Sequence, residues 1–108
     1  MAVGDADITV IVGRTPSGFE RWLRERGLRV PEPEWLGEKV ADMTKAFMEG
    51  DRALFFGLVM EVVLATGAHE RGPRLAGECA RQVMALAETG ILLCQALKAA
   101  AEQEGEGA

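Results

Sequence analysis

Ala53-Leu54-Phe55-Phe56-Gly57-Leu58-Val59-Met60-Glu61-Val62-Val63-Leu64-Ala65 decides the fold. Its thirteen residues include one charged side chain, Glu61. A helix that is apolar on every face must be buried on every face. The chain has 108 residues, so few other elements are available to cover this one. The expected solution is all-α: a four-helix bundle-like domain with a short N-terminal β-strand or extended arm. A second copy of the chain, joined across the third and fourth helices, is expected to complete it as a homodimer or higher oligomer.

The signals flanking this stretch set its bounds. Gly50-Asp51 ends one helix and caps the next, because an Asp side chain accepts a bond from a free N–H of the first turn. Gly67 offers the left-handed cap that closes helices, and Pro73 opens the helix that follows. The third helix therefore runs from about Arg52 to Thr66. Within it Gly57, Glu61 and Ala65 share one face, whose small residues would let another helix approach closely. Upstream, Leu36, Val40, Met43 and Phe47 recur at steps of four, three and four, the mark of one buried stripe on a second helix that starts near Glu34. Downstream, a long fourth helix from about Pro73 to Ala100 carries two adjacent seams. Cys79, Val83, Leu86, Gly90, Leu93 and Leu97 form one, with heptad-like spacing. Ala76, Ala80, Met84, Ala87, Ile91 and Cys94 form the other. Two seams need two sets of neighbours, and burying a Leu or Ile side chain is worth roughly 1.5–3 kcal/mol. Leu54, Leu58, Val62, Val83, Leu86, Leu93 and Leu97 are the expected oligomer interface.

Toward the N-terminus, Thr15-Pro16 and the Ser17 to Glu20 spacing start a first helix, and Gly27 stops it. Phe19, Trp22 and Leu23 give it an apolar face. Ile8-Thr9-Val10-Ile11-Val12 is continuous, largely β-branched and bounded by Gly13, so it reads as a strand that needs a partner for its backbone groups. Residues 1–7 read as a flexible leader, 8–100 as a single helical domain and 101–108 as a disordered acidic tail.

Composition narrows the function. The net charge is −5, which argues against nucleic acid as the default partner, and tyrosine is absent. The leader carries Asp5 and Asp7 rather than a basic start, and the apolar run at 53–65 is too short to cross a bilayer, so the expectation is a cytoplasmic protein with no membrane contact. Cys79 and Cys94 lie on one helix about 22 Å apart and cannot bridge each other. Both read as buried thiols.

Three groups are candidates for chemistry. Gly13-Arg14-Thr15-Pro16-Ser17-Gly18 has the glycine spacing of a phosphate-binding loop, but Phe19 and Glu20 stand where that loop needs Lys and Ser or Thr. Arg14, Arg21, Arg24, Arg26 and Arg29 face only Glu20 and Glu25 within sixteen residues, so this segment carries +3 in a chain that is otherwise −8. Arg14, Arg21, Arg24 and Arg29 are the candidate anion or partner surface, with a solvated face as the plainer alternative. Glu61 is the candidate buried carboxylate, needing a cation or metal; the plainer alternatives are a partner such as Arg81 or Lys45, or a rim position. His69, the single histidine, sits in a turn with no nucleophile beside it.

Glu38, Lys39 and Asp42, then Gly50-Asp51, then Glu61 form an order that resembles the all-α nucleotide pyrophosphohydrolases over about residues 36–66. The resemblance implies acidic residues on two antiparallel helices holding magnesium against a nucleotide's phosphates, with Glu38, Asp42 and Glu61 as the ligands. It departs at Lys39 and Leu58, which stand where that pattern wants further acids, and magnesium on so few carboxylates is weakly held. The function expected is a non-catalytic interaction protein, an accessory or adaptor subunit. Its partners would be itself and another protein, and its working surfaces the strand and the arginine-rich helix, with no cofactor. A degenerate or active all-α magnesium-dependent nucleotide pyrophosphohydrolase-like protein and a nucleic-acid binder working through the arginine-rich first helix are the rivals.

Overall fold

The computed structural model describes residues 16–107, with side chains described through residue 103. Four α-helices and a short 3-10 turn make up the ordered elements among the described residues, and no strand occurs there. They are α1 (Pro16–Glu25), α2 (Pro33–Met48), α3 (Arg52–Thr66), the 3-10 turn Ala68–Arg71, and α4 (Pro73–Gly107). The fold is all-α, as the sequence implies. The strand expected at Ile8 to Val12 and the leader lie outside the described residues.

Local chemistry places the helix ends. At the close of α1, the Leu28 N–H reaches back to the Leu23 carbonyl (3.0 Å) and the Gly27 N–H to that of Arg24 (3.1 Å). This double bond pattern closes a helix through a left-handed glycine, and Leu28 and Leu23 are both buried, as its apolar clasp requires. The same pattern recurs after α2, from Asp51 to Ala46 (2.9 Å) and from Gly50 to Phe47 (3.0 Å). Asp51 then caps α3 by accepting the Leu54 N–H on Oδ1 at 3.1 Å. The expected cap and the expected bounds of α3 are both observed.

α2 and α3 form an antiparallel pair, and α4 returns against both of them. α2 and α4 therefore run in the same direction, with Thr44 beside Gly90, and Met48 bordering the same groove as Leu93 and Cys94. α1 lies across the opposite end of α4. The core draws Phe19 and Leu23 from α1, Leu36 and Met43 from α2, Val59, Val62 and Val63 from α3, and Cys79, Val83 and Leu86 from α4.

Several expectations are corrected by this packing. Phe47 does not complete the buried stripe of α2: it is about half exposed at the hairpin end, edge-on to Phe55. Gly57 meets nothing within 4 Å of where a Cβ would stand, so the small-residue face of α3 is not a site of close helix approach. That approach occurs instead at Gly90, whose Cβ position lies 2.9 Å from the Thr44 hydroxyl. Cys79 is buried, but Cys94 is exposed, because α4 has by then reached the end of α2. α4 continues to Gly107 rather than stopping near Ala100. Over Pro73–Gln103 it is long and apolar enough to cross a membrane by length and composition, and 22% of its most apolar window is buried within the bundle.

Candidate functional site

Glu61 is the sharpest sequence candidate; it is not the buried carboxylate but stands at a rim, the plainer alternative. Its side chain is 52% exposed on the outer face of α3, not enclosed among the valines beside it. Its partner is neither Arg81 nor Lys45. The Lys39 ammonium reaches across from α2 and lies 2.5 Å from the carboxylate. Lys39 is held over the Trp35 ring, 5.5 Å from its centroid, and its field includes Asp42 and Glu38 as well. The bond to Glu61 is the largest influence raising the Lys39 pKa above its ordinary 10.5; desolvation opposes it, and the three carboxylates add to the rise.

This arrangement bears directly on a metal. Glu38, Asp42 and Glu61 share an ammonium, and among the described residues no three acidic, histidine or cysteine side chains gather closely enough to hold an ion. A cation seated there would have to displace Lys39 and bear its charge nearby. The residues present do not fit a divalent metal.

The arginine-rich segment is largely engaged within the chain. Arg24 is paired with Glu20 one turn away. Arg26 lies over the Trp22 ring at 4.3 Å and donates to the Trp22 carbonyl (3.2 Å). Arg29 donates its backbone N–H to the Thr66 carbonyl (3.1 Å) and lays its guanidinium against Gly67, so it extends the close of α3. Arg71 donates to the Arg26 carbonyl at 3.2 Å. Arg21 is exposed, and Arg14 lies outside the described residues. The segment works as a clamp between α1 and the α3–α4 turn.

Beside it is an apolar cavity of about 160 Å³, walled by Phe19, Leu23, Val30, Leu36, Val40 and Leu86. Glu20 is the one ionisable side chain in its wall, and that group is paired with Arg24. His69 stands 3.8 Å from Glu70 in the 3-10 turn, away from this cavity.

The residues expected at an oligomer interface divide sharply. Leu58, Val62, Val83 and Leu86 are buried in the chain's own core, so they are not available to a partner. Leu54, Leu93 and Leu97 point outward, Leu93 and Leu97 being 60% and 62% exposed. Phe47, Met48, Phe56 and Leu92, which sequence reasoning did not place at a surface, join them in exposure. Phe47 and Phe56 border one groove at the α2–α3 turn, Met48 and Leu93 border another between α2 and α4, and Leu54 stands beside Asp42, Lys45 and Glu49. Met60 and Leu64 extend the exposed apolar surface along α3. One signal in the sequence could have found them: Glu61 marks the wet side of α3, and residues 56, 60 and 64 repeat at the helical step of four on that side.

Compared with known proteins, the chain matches no family model, no curated protein and no solved structure.

Proposed function

We propose that this chain is a non-catalytic helical interaction protein that works as a homo-oligomer, in the manner of an accessory or adaptor subunit. The observation that carries this reading is the number of large apolar side chains left exposed around the α2–α3 turn and along α4, Phe47, Met48, Leu54, Phe56, Leu92, Leu93 and Leu97 among them. Large exposed apolar surface is a mark of association sites. A charged rim with a few polar groups converging on a cleft would instead favour a reaction site. The apolar cavity beside α1 lacks that convergence, since its one ionisable group is already paired.

The interaction reading puts the working surface around the α2–α3 turn, away from the arginines of α1. Lys39 among Glu38, Asp42 and Glu61 weighs against a magnesium-dependent hydrolase. The internal engagement of Arg24, Arg26 and Arg29 weighs against a nucleic-acid groove. Sedimentation equilibrium over a dilution series tests the proposal. A mass that is a multiple of 11.6 kDa at the higher concentrations is expected. A single-chain mass throughout would defeat it.

A further inference from the structure

The cavity beside α1 lies where the chain enters the bundle. Pro16, the first residue of α1, stands in its wall with Phe19, Val30, Leu36, Val40 and Leu86. Phe19, Leu36 and Leu86 are buried, while Pro16 and Val30 are exposed, so the cavity opens to water beside the start of α1. Its volume is about 160 Å³. An apolar cavity of roughly 150 Å³ takes a six-carbon molecule such as benzene, and two valine side chains carry as many carbons.

The sequence just before Pro16 has the matching chemistry. Ile8-Thr9-Val10-Ile11-Val12 holds four branched aliphatic side chains and no charge, between Asp7 and Arg14. An uncharged segment suits this wall, because a charge brought into it would be left without a partner: its one ionisable group, Glu20, is already paired with Arg24. Gly13, Arg14 and Thr15 separate Val12 from Pro16, which keeps Val12 within about 14 Å of the cavity's rim along the chain. Gly13 gives that connection the freedom to turn back. Pro31 and Pro33, also in the wall, have no N–H to offer, so the cavity recognises side chains rather than adding a strand to a backbone ladder.

We propose that the chain's own residues 8–12 dock in this cavity, with two of their aliphatic side chains set against Phe19, Val40 and Leu86 and their backbone turned to water. A tether of three residues holds the segment beside the cavity at an effective concentration on the order of mM. A second copy at micromolar concentration, or a dilute apolar ligand, competes poorly with that. The docked segment closes the cavity, and an outside apolar group enters only by displacing it. The contact forms within one chain, so it holds with or without the self-association proposed above.

Methyl NMR on the full chain tests it. The chain has three isoleucines; Ile8 and Ile11 report on the segment, while Ile91, outside the cavity wall, reports on the bundle. With isotope-labelled isoleucine methyls, through-space contacts from Ile8 or Ile11 to the Phe19 ring and to the Val40 or Leu86 methyls are expected. In the double variant Val10→Asp, Val12→Asp those contacts should be lost while the Ile91 signal stays in place. Added benzene, which the parent chain is expected not to bind, should then shift the Phe19 and Leu86 signals of the variant. No contact from either isoleucine to the wall overturns the proposal, and so does benzene bound equally by both proteins. In a mixture of labelled and unlabelled chains, contacts that cross from one chain to the other overturn it in favour of a second copy's segment. None of these readouts depends on the mass of the chain in solution, so the self-association reading can fail while the docking stands, and the reverse.

Discussion

The Thr44 hydroxyl lies 2.9 Å from the point where a Cβ on Gly90 would stand, and it is held there by donating to the Val40 carbonyl at 2.9 Å. α2 and α4 approach each other closely at this point, and glycine permits it. Elsewhere in a helix, Gly→Ala stabilises by about 0.5–1 kcal/mol through the unfolded chain's entropy. At Gly90 the added methyl meets a buried, tethered hydroxyl. Gly90→Ala is therefore expected to destabilise by about 1–3 kcal/mol, the range for overpacking. Gly57→Ala, with open space around it, should stabilise by about 0.5–1 kcal/mol. Thr44→Ala should relieve much of the Gly90→Ala penalty, and urea denaturation of the double-mutant cycle measures this directly.

Lys39 supplies a pH dependence at the alkaline end. Its folded pKa is raised above 10.5, chiefly by the bond to Glu61. A group whose folded pKa is raised contributes its stability in full below the unfolded value and loses it as pH climbs through the folded one. Lys39→Met is expected to be less stable than the parent chain at pH 8, and the gap should close as pH rises past 10.5 toward the folded pKa. Thermal melts of both proteins across that range check it. A gap that stays constant would show that Lys39 acts through its packing on Trp35 rather than its charge.

The elements with strong local chemistry were legible in the sequence. Asp51, Gly67 and Pro73 placed the ends of α3 and the start of α4 because capping is decided within a few residues. The all-α class followed from the periodicities around them. What was not legible depended on which helix lies next to which. Periodicity shows that Val62 and Leu93 are both apolar, but the packing of the helices decides that Val62 is covered and Leu93 is not. The apolar sequence neighbours of Glu61 leave a buried carboxylate and a rim position both open. On a helix those neighbours point elsewhere, and its side chain shares the outer face with residues 57 and 64. In the sequence Lys39 only interrupts an acidic pattern, and its position opposite Glu61 emerges once α2 and α3 are set side by side.

Asp51 isolates the contribution of a single cap. Its side chain is exposed, and its recorded work is to accept the Leu54 N–H at the start of α3. Asp51→Ala should cost about 1 kcal/mol. Asp51→Asn should cost much less, because the amide oxygen still accepts that bond. Chemical denaturation of the two variants separates the cap from a general effect of removing a charge.

Thr66 is a buried hydroxyl with its bonding accounted for. Its Oγ1 donates to the Val63 carbonyl at 2.8 Å and accepts the Ala68 N–H at 3.3 Å, with the Cys79 sulfur 3.6 Å away. Thr66→Val keeps the shape and leaves the buried Ala68 N–H without this acceptor. The expected loss is about 1–3 kcal/mol, the cost of one unsatisfied buried group. Thr66→Ser, which keeps the oxygen, should lose less, and the comparison by calorimetry distinguishes the hydrogen bond from the methyl packing.

Cys79 reports on whether that corner opens. Burial pushes its thiol pKa up, and the bond to Thr66 offsets this only in part. Reaction with a disulfide reagent needs both access and thiolate, and Cys79 is short of each in the folded chain. In a Cys94→Ser background, which leaves Cys79 as the single thiol, no reaction with Ellman's reagent is expected at pH 8 until denaturant unfolds the bundle. Thr66→Val in the same background removes the hydrogen bond that lowers the thiol pKa and also loosens the turn around Ala68. Reaction in that variant should begin at a lower denaturant concentration, in step with its loss of stability. Fast labelling of Cys79 without denaturant would mean that the packing of α3 on α4 opens locally, and that the core drawn around Val62, Val63 and Val83 is looser than its burial implies.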